Sequence, residues 1–124
     1  MTVTPEQVES RLRELSREVD EAHSKLENAD KQLVEAEYNF KMGMAEARLR
    51  ISHSDQKMRV GEIEDRAIII NKDAYNAYLS SQQIVRAAKS NSDRVDTQVQ
   101  IAQSVGASVR ASLCLLYTSD AADE

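Results

Sequence analysis

The sequence predicts an all-α protein, folded as one long antiparallel two-helix coiled-coil hairpin. Three observations predict it. Helix breakers are scarce, with three Gly and one Pro in 124 residues. Apolar residues recur at alternating steps of four and three along two long stretches, the pattern of a coiled-coil seam. A short polar run, Ser52 to Lys57, separates those stretches. Composition agrees. One Phe, four Tyr and no Trp are too few large side chains for an ordinary globular core, while charged residues make up 30%. A mean hydropathy of −0.54 would suit disorder, but the periodicity argues for order.

The first helix is predicted over about residues 5–51. Thr4 can cap it, Pro5 suits its first position, and Gln7 stands where a capping box places Glu or Gln. Its seam reads Val8, Leu12, Leu15, Val19, Ala22, Leu26, Ala29, Leu33, Ala36 and Phe40, continuing through Gly43 and Ala47. Ser52, Ser54 and Asp55 compete for backbone hydrogen bonds and mark a loop over about 52–59. The second helix is predicted over about 60–112. Its seam is read as Ile63, Ala67, Ile70, Ala74, Ala77, Ser81, Ile84, Ala88, Asn91, Val95, Gln98, Ala102, Val105 and Val109. Folding back about the loop pairs positions whose numbers sum to about 112. That register sets Leu15 near Gln98, Phe40 near Ala74 and Asn91 opposite Ala22. There a buried amide would fix the register, or else the distal half frays.

Residues 114–124, CLLYTSDAADE, resemble the translation of a transposase-type sequencing adapter. They are therefore set apart as an artefactual tail, expected to pack against nothing specific, which leaves 1–113 as the helical hairpin. The native sequence would then diverge near Leu113. Removing Asp120, Asp123 and Glu124 from the 21 acidic residues leaves 18 against 16 basic ones, so the net charge moves from −5 to −2. Neither value points to a strongly charged partner.

Large apolar side chains remain outside the seam. Val34, Tyr38, Met42, Ala45 and Leu49 follow what reads as a neighbouring stripe on the first helix. Ile68, Ile69, Tyr75, Tyr78 and Leu79 lie off the seam of the second. Tyr38, Met42, Leu49, Ile68, Ile69, Tyr75 and Leu79 are the candidate interface, with a homodimer as the expected product. A third helix supplied by further sequence is the alternative.

Nothing in the chain points to catalysis, so the protein is expected not to be an enzyme. His23 and His53 are far apart in the expected hairpin, and with no native Cys there is no zinc-like cluster. The lone Gly61 makes no phosphate loop. The carboxylates interleave with Arg and Lys as i,i+4 pairs on solvated faces. No cofactor or metal is expected. The opening residues lack the apolar core of a signal peptide, and no apolar run approaches the ~20 residues of a membrane span, so a cytoplasmic protein without a membrane partner is expected. Arg48, Arg50, Lys57 and Arg59 gather near the loop and are the candidate nucleic-acid contacts. Glu46, Asp55, Glu62, Glu64 and Asp65 dilute them, and no interleaved aromatics form a stacking platform.

The stretch TQVQIAQSVGASVR, Thr97 to Arg110, and the AEARLR run, Ala45 to Arg50, before a polar loop carry one resemblance. Together they resemble small, largely uncharacterised coiled-coil proteins of tailed bacteriophages and prophages. Those are encoded in the replication and recombination region, near single-strand annealing and single-strand-binding proteins. The resemblance implies a DNA-metabolism setting in a bacterial host cell and a partner among such proteins, and carries no catalytic residue. The expected function is a coiled-coil interaction or scaffold protein, an accessory of phage DNA replication or recombination. The alternative is direct nucleic-acid binding near the loop.

Overall fold

The computed structural model describes residues 2–54 and 57–122. It is all-helical, with three helices and no strand among the described residues: α1 (Pro5–Ser52), α2 (Val60–Ile70) and α3 (Lys72–Ala122). Residues 55 and 56 of the expected loop lie outside the described residues.

The start of α1 forms as the sequence implies. The Thr4 backbone N–H donates to Gln7 Oε1 at 3.1 Å, and the Gln7 N–H donates to Thr4 Oγ1 at 3.2 Å. These reciprocal bonds satisfy two of the donors a helix start leaves open. Along the outer face, Glu9–Arg13, Glu27–Lys31 and Glu37–Lys41 pair at i,i+4 with the acid first, the favourable orientation against the helix dipole. Serines end the helix. Ser52 Oγ donates to the Leu49 carbonyl, which also accepts the His53 N–H, and Ser54 donates both its Oγ and its N–H to the Ile51 carbonyl.

The second half departs from the single helix expected over 60–112. A break at Asn71 (φ −100°, ψ 24°) separates α2 from α3. Asn71 keeps its ordinary i→i−4 N–H bond to the Ala67 carbonyl at 3.1 Å, and its side-chain amide competes for the same carbonyl at 2.9 Å. Beyond residue 112, α3 does not stop. It runs on to Ala122, so residues 114–122, set apart as a tail, carry helical backbone. By length and composition alone, Lys72–Leu116 includes a stretch apolar enough to cross a membrane (mean hydropathy 1.2). That differs from the sequence expectation. Leu113, Leu115 and Leu116 contribute to it, and all three are exposed.

The chain divides into two compact units, one of residues 1–24 with 89–124 and the other of 25–88. In the first, Leu15, Ala22, Ser92, Val95 and Gly106 are buried, and the Val8 side chain lies directly against Gly106. In the second, Met44, Ala47 and Ala67 form the core, with Phe40 and Ile51 packed on it, and Ala29 is buried as well. The Phe40 ring lies 5.1 Å from that of Tyr75 and 5.8 Å from that of Tyr78, stacked on the latter.

Every seam position expected on α1 is buried or half-buried. On α2 and α3 the phase is corrected by one residue at six positions. Ala67, Ala74, Ser81, Ala88, Val95, Ala102 and Val109 face inward as read. Between them, however, stand Asn71, Tyr78, Val85, Ser92, Val99 and Gly106, in place of Ile70, Ala77, Ile84, Asn91, Gln98 and Val105. The change follows the four-residue step from Ala67 to Asn71. It also matches the small residues of α1, since Gly106 and Ser92 admit a close neighbour where Val105 and Asn91 would not. Asn91 is consequently not the buried amide of the seam. It sits at the margin, where its Oδ1 accepts from Arg94 Nη2 at 2.7 Å.

Candidate functional site

The residues that face solvent on the second unit are the ones that need explaining. A helix turns about 100° per residue, so Val34, Tyr38, Met42, Ala45 and Leu49 fall on one line along α1. That line is not the stripe beside the seam that the sequence suggested. Its mean direction lies about 180° from the buried line of Leu33, Ala36, Phe40, Gly43 and Ala47, so α1 is apolar on two opposite sides. Tyr38 is 63% exposed and Leu49 60%, so more than half of each stands in water.

On α2 and α3 the candidate residues separate by the same geometry. Ile69, 72% exposed, points away from the inward line of Ile63, Ala67 and Ala74. Ile68, Tyr75 and Leu79 lie on one flank and are each somewhat over one-third exposed. The seven candidate interface residues are therefore all exposed, but on distinct faces and not in one patch. Tyr78, read as lying off the seam, is half-buried on Phe40. The corrected phase adds Ile70 and Ile84 to the exposed set.

The basic candidates are unequal. Arg48 grips Glu64 through two bonds, Nε to Oε1 at 2.6 Å and Nη2 to Oε2 at 3.0 Å, a forked pairing that occupies its guanidinium. Arg50, Lys57 and Arg59 are exposed. Lys41 is held above its ordinary value of 10.5 by its hydrogen bond to Glu37, with the charge of that carboxylate adding to the effect. His23 stands 3.8 Å from Asp96, both more than half exposed, which is the arrangement of a loose surface pair. Among the described residues no group of three or more His, Cys, Asp or Glu is placed to hold a metal ion.

Three residues of consequence were not singled out from the sequence. Met44 is buried, though the four-three reading passed from Gly43 to Ala47. Its spacing of four from Phe40 and three from Ala47 was the available signal. Asn71 reads as a plain surface amide until its neighbours are known. Gly43 was read only as a weak seam position. In fact a Cβ there would stand 3.1 Å from Asn71 Cγ and closer still to Asn71 Oδ1.

No protein family matches the chain, and no curated protein or solved structure does either.

Proposed function

We propose that this chain is a non-enzymatic interaction protein: an antiparallel coiled-coil hairpin that self-associates. In this reading it serves as a scaffold or accessory of phage DNA replication or recombination in the cytoplasm of a bacterial host. Contacts inside each unit support the antiparallel hairpin. In the first, Val8 meets Gly106 and His23 meets Asp96. In the second, Phe40 meets Tyr75 and Arg48 meets Glu64. In both, rising numbers on α1 meet falling numbers on the opposing helix, as a hairpin requires.

The observation that carries self-association is the apolar line on the outer side of α1. Charged residues are the ordinary occupants of that side in a two-helix hairpin. Burying a large side chain contributes about 1.5–3 kcal/mol, and association costs about 4–15 kcal/mol in lost freedom. Tyr38, Met42 and Leu49 with their symmetry mates would offset that cost. The phage setting rests on the resemblance of Thr97–Arg110 and Ala45–Arg50.

Sedimentation equilibrium tests the reading. A dimer at micromolar concentration is expected, and a strict monomer would reject it. Because Tyr38 and Ile69 lie on different faces, Tyr38→Glu and Ile69→Glu are to be compared separately. The one that dissociates the dimer while helicity persists identifies the face in use. A DNA-binding assay with steep salt dependence would favour nucleic-acid contact through Arg50, Lys57 and Arg59 instead. The reading open frames beside the gene would test the proposed setting.

A further inference from the structure

We infer that Asn71, seated on Gly43, locks the heptad register in which α1 pairs with α2 and α3. The inference rests on the hairpin reading and goes beyond it, to what selects one pairing among several similar ones.

The seam is repetitive. Ala22, Ala29, Ala36 and Gly43 stand seven apart on α1, and the row that begins with Asn71 against Gly43 continues at Tyr78 and Val85 on the opposing side. Sliding that row by seven residues sets Tyr78 and Val85 against an alanine or glycine again, so the fit of these two discriminates weakly between registers. Asn71 breaks that equivalence. It is half-buried on the inward line, its amide donating to the Ala67 carbonyl at 2.9 Å and lying 3.9 Å from Met44 Sδ.

Gly43 is the matching feature. With Asn71 Cγ 3.1 Å from where its Cβ would be, a side chain at 43 requires the Asn71 amide to shift from its seat. The other residues of that row all carry a Cβ. Asn71 fits opposite position 43, and a slip by one heptad drives it onto Ala36 or away from the row of small residues. A polar residue in a seam fixes register in this way, at some loss of stability. Arg48 with Glu64, and Phe40 with Tyr75 and Tyr78, favour the same pairing from either side of the lock.

The test uses thiol cross-linking in the full chain carrying Cys114→Ser, since Cys114 is the sole cysteine. Arg48→Cys with Glu64→Cys reports the observed register. Lys41→Cys with Glu64→Cys reports a slip of one heptad. A short bismaleimide is applied to each pair, with helicity followed by circular dichroism. The first pair is expected to cross-link and the second not. With Asn71→Ala added, the yield of the first pair is expected to fall by about threefold or more while helicity persists, as slipped registers become populated. Gain of the second pair gives the direction of slip. Asn71→Ala combined with Gly43→Ala, which restores a plain row of alanines, is expected to slip likewise. An undiminished yield of the first pair in both backgrounds overturns the lock. So does loss of helicity in both, because Asn71 would then be stabilising the fold and not selecting a register. Failure of the first pair to cross-link in the parent chain overturns the hairpin reading itself, a separate result.

Discussion

Leu15→Ala and Leu26→Ala, made side by side, measure how deep the seam is. Leu15, 1% exposed, is the largest fully buried side chain among the described residues, whereas Leu26 is half-buried. Truncating Leu to Ala removes three carbons, worth about 0.8 kcal/mol each when fully buried, or about 2.4 kcal/mol in transfer. A residual cavity adds to this in a rigid core. Here the surroundings are thin, since Leu15 is covered by single helical layers that can close in, so the cavity contribution is small. Leu15→Ala is expected to destabilise by about 2.5–3 kcal/mol, and Leu26→Ala by about half that. Urea melts followed at 222 nm, at one fixed protein concentration because association is linked to stability, give both values. If Leu26→Ala proves as damaging as Leu15→Ala, or Leu15→Ala costs under about 1 kcal/mol, the assignment of burial along α1 is wrong.

Gly61 lies in the first turn of α2 with nothing within 4 Å of a built Cβ, and no glycine among the described residues has positive φ. Gly61→Ala should therefore stabilise by about 0.5 kcal/mol, and a destabilised variant would mean the site is not open. Lys41 titrates above its ordinary value because of Glu37, so whatever the pair contributes is fully present below the unfolded lysine value and lost as pH rises through the folded one. Glu37→Gln should lower the Lys41 titration measured by NMR of its side chain, and an unmoved titration would refute the pairing. Deleting residues 114–124 should remove helical signal while leaving the unfolding midpoint in place. Leu116 lines an apolar groove with Val3, Pro5 and Val109, so a fall in midpoint would show that this contact is a stabilising element.

The sequence made α1 legible because its determinants are local. The Thr4–Gln7 capping box, the serines at 52 and 54 and the four-three steps each act within one or two turns. The phase of α2 and α3 was not legible for a definite reason. Ala67, Ala74, Ser81, Ala88, Val95, Ala102 and Val109 satisfy two phases equally. Counting apolar residues then favours Ile70 over Asn71 and Val105 over Gly106. What decides between them is fit against Gly43 and the alanines of α1, a relation between distant residues that periodicity does not carry. The candidate interface was half legible for a similar reason. Exposure of Tyr38, Met42 and Leu49 followed from their absence from the seam. Their position on the far side of α1 required the helical angle, since their spacing is the same as that of the seam.

Under the proposed self-association, the placement of the exposed apolar residues would also set the valence of the molecule. A chain with one sticky face closes on a single symmetry mate and stops. Here Tyr38, Met42 and Leu49 occupy the outer side of α1, and Ile69 the outer side of α2, so a dimer formed through either face leaves the other open. Two self-complementary faces on one subunit generate a string of subunits and not a closed pair. Dimers would then dominate only over the concentration range between the two affinities. Mass measured at rising concentration would keep climbing past two chains, and capping either face with a single charge would return it to two.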